Sequence, residues 1–136
     1  MAKLPKSAIQ TLRDEALRAA KQAYAPYSGI HVGAAILASD ENIYTGCNVE
    51  NASYGLTVCA ERNAIANALL RVSTERASLI QAIYVVSDKE GATPPCGACR
   101  QVISEFGHGG LIFFPGKRGI KKIKIEELLP EAFSLS

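Results

Sequence analysis

Helical and strand patterns alternate along this chain. They predict an α/β protein with three layers, a mixed sheet of about five strands flanked by helices. Three observations carry the prediction. Ile9, Leu12, Ala16, Leu17 and Ala20 recur at helical spacing near the start. Ile80 to Val86 is a mostly apolar, β-branched run, the pattern of a central strand covered on both faces. Breaks at Ala25-Pro26-Tyr27-Ser28-Gly29 and from Ser87 to Pro95 separate the periodic segments.

Taken in order, Pro5 to about Ala23 reads as a helix, with Lys6, Arg13, Asp14 and Lys21 off its apolar face. Pro26 and Gly29 cannot continue it. Val32 to Ala38 and Ile43 to Val49 read as strands joined by the polar turn Ser39-Asp40-Glu41-Asn42. Asn51 to Thr57 is a loop, and Cys59 to about Arg71 a second helix buried on its Ala64, Ile65, Ala68 and Leu69 side. After the strand at Ile80 to Val86, a third helix starts at Cys96 or Gly97 and runs to Phe106. Leu111 to Phe114 and Ile120 to Ile125 form two short strands, and a short terminal helix begins at Glu126. No repeat, linker or low-complexity segment interrupts the pattern, so residues 1–136 are expected to form a single domain.

The chain has 136 residues, enough for one domain with a real core and too few for two. Its 48% hydrophobic and 21% charged content argues against disorder. A net charge of +2 is too balanced to imply nucleic acid or anionic membranes. The basic residues Lys117, Arg118, Lys121, Lys122 and Lys124 read as the solvated face and ends of a hairpin. Met1-Ala2-Lys3-Leu4-Pro5-Lys6 lacks the apolar stretch of a signal peptide, and no run approaches the roughly 18–20 residues that span a bilayer. A cytoplasmic location is expected, where the 4 cysteines serve as thiols or metal ligands rather than a disulfide framework.

Cys59-Ala60-Glu61-Arg62 and Pro95-Cys96-Gly97-Ala98-Cys99 carry the chemistry. Cys96 and Cys99 are three apart and would project from the first turn of one helix, while Cys59 opens another. Helix N-termini stabilise thiolates through the dipole and free backbone amides. Three thiolates can hold zinc and leave its fourth position for water, as catalytic rather than structural sites do. The Glu61 carboxylate can reach that position. Arg62 can hydrogen-bond a ligand sulfur and offset the net negative charge of a three-thiolate zinc site. A lone Cys-x-x-Cys also serves as a redox dithiol or as two buried thiols. Cys47 is a competing fourth ligand that would close a structural site and make Glu61 incidental, although a strand cysteine is usually a small apolar filler.

The chain resembles the small, homotetrameric, zinc-dependent cytidine deaminases. The resemblance rests on Tyr24-Ala25-Pro26-Tyr27-Ser28, Val32-Gly33-Ala34-Ala35, the segment from Gly46 to Leu56, both cysteine motifs with Arg100-Gln101, and Glu126-Glu127-Leu128-Leu129-Pro130. It implies a cytidine deaminase-like fold and one zinc per subunit, held by Cys59, Cys96 and Cys99. It implies Glu61 as the general acid/base that serves a water attacking C4 of the base. By the same resemblance Asn48 and Glu50 bind the ribose 3′-hydroxyl, the Ala60 amide holds the base O2, and the Pro94 carbonyl holds the exocyclic amine. Tyr54 and Phe133 reach a neighbouring subunit's site, and Arg62 and Gln101 stand behind the metal ligands.

Two positions depart from the family pattern. Ile30 replaces the usual phenylalanine, which packs against the base, so one wall is expected to be looser and tolerance of modified cytosines wider. Pro94 replaces a commoner serine, where only a carbonyl is needed. His31 and His108 lie outside the metal motifs, with His31 expected in solvent or at the rim of the site. The expected activity is deamination of cytidine and 2′-deoxycytidine in pyrimidine salvage. Its rivals are a deaminase of another cytosine-containing small molecule and a noncatalytic zinc-stabilised binding module.

Overall fold

A computed structural model describes residues 4–135. The reading of Met1, Ala2 and Lys3 as lacking an apolar leader lies outside these residues. The elements run α1 (Lys6–Ala20), β1 (Val32–Ala38), β2 (Ile43–Cys47), α2 (Ala60–Leu69), β3 (Ile80–Ser87), α3 (Gly97–Phe106), β4 (Leu111–Gly116) and β5 (Gly119–Lys124). Single 3₁₀ turns occur at Tyr54–Leu56, Arg76–Ser78 and Ile125–Glu127.

The strands form one sheet in the order β2-β1-β3-β4-β5, with β3 and β4 parallel and the other neighbours antiparallel. β3 is central, as its apolar run requires: Ile83 and Val85 face one core cluster, while Ala82, Tyr84 and Val86 face the other. α1 covers the second face by burying Leu12, Ala16 and Ala20, one residue per helical turn. α2 and α3 cover the first through Ala64, Ile65, Ala68, Cys99 and Ile103. The result is the three-layer α/β/α arrangement.

Two glycines let the outer layers approach the sheet. A Cβ on Gly33 would lie 1.9 Å from the Ala16 carbonyl oxygen of α1, and one on Gly46 would lie 2.3 Å from the Ala64 nitrogen of α2. The approach at Gly46 sets the position of α2, and so of Cys59 and Glu61 at its start.

Among the boundaries that differ from the sequence reading, three have a local reason in the structure. α1 stops at Ala20 rather than Ala23 because Tyr24 pairs elsewhere, donating to the Asn48 carbonyl at 3.0 Å and accepting from the Glu50 amide at 2.8 Å. β2 ends at Cys47 rather than Val49. There the Asn48 side chain takes the place of a ladder carbonyl, accepting from the Val32 amide at 2.8 Å, and Val49 leaves to bridge Val58. The terminal helix expected from Glu126 is a single 3₁₀ turn, Ile125–Glu127, that buries Ile125 and Leu128 against the core. The hairpin lysines Lys121, Lys122 and Lys124 lie exposed on β5, with Lys117 and Arg118 at its turn. No helix among the described residues is long and apolar enough to cross a membrane.

Candidate active site and metal centre

Cys59 and Cys96 occupy the N-cap positions of α2 and α3, and Cys99 lies in the first turn of α3. Both caps are extended residues, so each thiol sits where backbone amides point out of the helix end. The Cys96 sulfur accepts from the Cys99 amide at 3.4 Å. The sulfurs of Cys59, Cys96 and Cys99 all lie within 4.8 Å of one another, and those of Cys59 and Cys96 are 3.9 Å apart. A tetrahedral zinc with Zn–S bonds of about 2.3 Å needs sulfurs about 3.8 Å apart. The spacing fits.

The electrostatics fit as well. Hydrogen bonds from Cys99, Arg62 and Cys96 bring the Cys59 thiol down to about 5, whereas its bond to Cys59 and burial push the Cys99 thiol up. The cluster thus accommodates one negative charge and resists more, and a divalent cation is the partner that lets all three thiols ionise. Arg62 Nη2 donates to the Cys59 sulfur at 3.6 Å and to the Thr57 carbonyl at 3.5 Å. Its buried Nε has no hydrogen-bond partner among the described residues. Cys47 stands outside the three-thiol group, and burial raises its pKa.

Glu61 follows Cys59 by two residues and is only 4% exposed. Burial pushes its carboxyl above the usual range, and the charge on Cys59 adds to this. An almost fully buried carboxylate is costly unless a cation or a proton-transfer role accounts for it. Ala60, the first residue of α2, is fully buried between them. Pro94 is exposed on the loop leading to α3, next to buried Pro95. Arg100 fixes that loop: Nε donates to the Pro95 carbonyl at 2.9 Å and Nη1 to the Leu128 carbonyl at 3.2 Å. Gln101 lies half-buried in α3, two residues beyond Cys99.

Asn48 and Glu50 turn their side chains toward one segment, residues 27–32. Asn48 accepts from the Val32 amide and donates to the Ile30 carbonyl, both at 2.8 Å. The Glu50 carboxylate accepts from the Tyr27 and Ser28 amides at 2.9 and 3.1 Å and from the Ser28 hydroxyl. These bonds, the Ser28 hydroxyl foremost, hold its carboxyl below the usual range. Tyr27, Ser28, Glu50, Tyr54 and Thr57 line a cleft of about 400 Å³. Tyr54 packs edge-on against Tyr27 with ring centroids 5.9 Å apart, yet is 76% exposed, and Phe133 near the C-terminus is 72% exposed. Ile30 is half-buried and is not among the residues lining this cleft, although its amide donates to the Ser28 hydroxyl at 3.0 Å.

A family model described as the cytidine and deoxycytidylate deaminase zinc-binding region matches residues 6–114. The chain belongs to this deaminase family. Among its relatives is a cytidine deaminase of Sporosarcina psychrophila, 44% identical over 128 residues, or 93% of this chain and 91% of the relative. Another, from Halalkalibacterium halodurans, is 45% identical over 127 residues, 92% of this chain and 93% of that one. The crystal structure of cytidine deaminase from Burkholderia pseudomallei aligns with a TM-score of 0.83 at 42% identity, covering 91% of this chain and 98% of that chain. The deaminase family accounts for the zinc-binding motifs and for the fold.

Two contacts near these segments, made by Arg100 and Asp88, escaped the sequence reading. Arg100 was visible in the cysteine motif, but nothing local told that it bonds the Pro95 carbonyl. Asp88 gave no signal at all within a turn-rich connection. His31, expected in solvent or at the rim, is half-buried and bonded to that aspartate.

Proposed function

We propose that this protein, one domain over residues 1–136, hydrolyses cytidine and 2′-deoxycytidine at C4, releasing ammonia and uridine or 2′-deoxyuridine. The observation that carries this reading is the buried Glu61 carboxylate beside three thiols spaced for zinc. Cys59, Cys96 and Cys99 would hold zinc, which would supply the Lewis acidity that makes a water nucleophilic near neutral pH. Glu61 takes a proton from the attacking water, delivers it to N3 of the ring, and later helps protonate the departing amine. Its burial supports this role, because a proton held away from bulk water goes to the substrate. Arg62 offsets the thiolate charge, and Gln101 supports the ligands from within α3.

For the substrate, the Ala60 amide serves the base O2 and the Pro94 carbonyl the exocyclic amine. Glu50 accepts from the ribose 3′-hydroxyl with a lone pair left over from its three hydrogen bonds, and Asn48 supplies its second amide proton. Ile30 forms the apolar wall. Exposed Tyr54 and Phe133 support a homotetramer in which each would complete a neighbouring subunit's site. The reaction belongs to pyrimidine salvage in the cytoplasm, with neither nucleic acid nor membrane as partner.

Ile30 also favours a second reading, a preference for modified cytosines or another cytosine-containing small molecule. A panel of cytosine, cytidine, 2′-deoxycytidine, their phosphates and N4-modified nucleosides, followed by loss of the amino-pyrimidine absorbance, tests both. The two plain nucleosides are expected to turn over fastest. Faster turnover of a modified compound would support the second reading, and silence across the panel would leave only a noncatalytic zinc module.

A further inference from the structure

His31 and Asp88 make three hydrogen bonds with each other. The His31 amide donates to Asp88 Oδ1 at 2.8 Å, His31 Nδ1 stands 2.7 Å from Asp88 Oδ2, and the Asp88 amide donates to the His31 carbonyl at 3.1 Å. The two side chains are 40% and 52% exposed, so the charge attraction alone is worth little. What matters is what the bonds join. His31 ends the segment 27–31, whose Tyr27 and Ser28 line the cleft beside Glu50. Asp88 begins the loop 88–95 that leads into Cys96 and Cys99. Among the described residues, every hydrogen bond between these two segments runs through this one pair.

The neighbouring bonds make the junction stiff. Asn48 holds the Ile30 carbonyl and the Val32 amide, on either side of His31. The Ser28 hydroxyl accepts from the Ile30 amide at 3.0 Å while bonding the Glu50 carboxylate. At the other end of the loop, the Thr93 amide donates to the Pro115 carbonyl at 2.8 Å, and Arg100 holds the Pro95 carbonyl. Both segments are therefore anchored at their far ends and joined at His31–Asp88. The His31 amide, then its side chain, hold the Asp88 carboxyl below the usual range, so it is ionised and accepts both bonds. Lys21, the C-cap of α1, lines a cleft with both residues, and Glu50 lies close enough to His31 for their charges to interact.

We propose that His31 and Asp88 are a positioning pair for deamination, fixing the nucleoside-binding wall at residues 27–31 relative to the loop that carries two of the zinc ligands. The proposal rests on the deaminase reading above. Neither residue touches the reacting atoms. Losing the pair frees one wall of the cleft relative to the metal centre, which weakens binding more than it slows the chemical step.

The test uses zinc-loaded protein in its native oligomeric state. His31→Val, Asp88→Ala and the double variant are compared with wild type by steady-state kinetics on cytidine, by equilibrium binding of uridine, by zinc content, and by hydrogen exchange at the His31 and Asp88 amides. Each single variant is expected to raise KM and the uridine Kd about tenfold, with kcat within about threefold. Zinc content should be unchanged and exchange faster at both amides. Because the His31 side chain acts only through the Asp88 carboxylate, the double variant should be no worse than the Asp88 variant alone. His31→Asn is expected to restore wild-type KM, since its amide N–H stands at the same bond distance from the backbone as Nδ1.

The positioning pair is overturned if KM and Kd stay within twofold of wild type. It is equally overturned if the two losses multiply, or if kcat and melting temperature fall while KM holds, the pattern of a merely structural contact. Wild-type protein that turns over cytidine while the variants behave so overturns the pair alone. Zinc-loaded wild type that neither deaminates cytidine nor binds uridine overturns the deaminase reading and the pair with it.

Discussion

Glu50 accepts hydrogen bonds from the Tyr27 and Ser28 amides and from the Ser28 hydroxyl, and these hold its carboxyl below the usual range. A depressed folded value means that ionised Glu50 adds stability above the unfolded carboxylate range, and that this stability is lost as pH falls through the depressed value. The melting-temperature gap between wild type and Glu50→Gln is therefore expected to be widest near neutral pH and to close as the pH falls through the depressed carboxyl value. A gap that stays constant or widens in acid would contradict the assignment. Ile30 makes the other prediction at this scale. Ile30→Phe is expected to raise kcat/KM on cytidine relative to N4-modified nucleosides by about 2- to 10-fold, the worth of one aromatic contact. Unchanged ratios on the two substrate types would remove Ile30 as a specificity residue. The alternation of a strand made it legible that Asn48 and Glu50 face one way. That they face the backbone of residues 27–32 was not, because those bonds close over 16 to 23 residues of chain. Asp88 was hidden for the same reason, lying 57 residues from its partner.

The starts of α2 and α3 are the elements that build the metal centre. Both were readable from local chemistry, since Cys59 and Cys96 each precede an amphipathic run and each proved to be an N-cap. Strand β3 was readable from its apolar run for the same kind of reason. The ends of α1 and β2 were not, because tertiary pairing of Tyr24 and Asn48 overrides the local pattern there. Helix placement depends on close approach at two glycines, which gives a prediction at this scale. Gly33→Ala puts a methyl 1.9 Å from the Ala16 oxygen, and Gly46→Ala puts one 2.3 Å from the Ala64 nitrogen. Each should cost about 1–3 kcal/mol in urea unfolding. Only Gly46→Ala should also lower activity per folded molecule, because it displaces the helix that carries Cys59 and Glu61. Equal activity losses in the two variants would contradict this division.

Across the whole molecule, exposed apolar side chains gather around the cleft. Tyr24, Tyr27, Val49, Tyr54 and Leu56 all stand open in the isolated chain. Exposed apolar groups concentrated near one site suit an interface between subunits, and such an interface would place Tyr54 where the proposed assembly needs it. The sheet, the helices that flank it and the three-thiol cluster belong to the zinc-binding deaminase family. The proposals particular to this chain concern Ile30 and the His31–Asp88 pair, on the segment that Asn48 and Glu50 hold. Glu61 is proposed to move the protons in a site whose metal is held by thiols alone. The direct measurement is uridine and ammonia release from cytidine by zinc-loaded wild type and Glu61→Gln, with bound zinc and melting temperature determined on the same samples. Wild type should release the two products in equal amounts, and Glu61→Gln should keep its zinc and fold while losing at least about 100-fold in kcat. A Glu61→Gln protein that turns over at the wild-type rate, or that loses its zinc, would contradict the account.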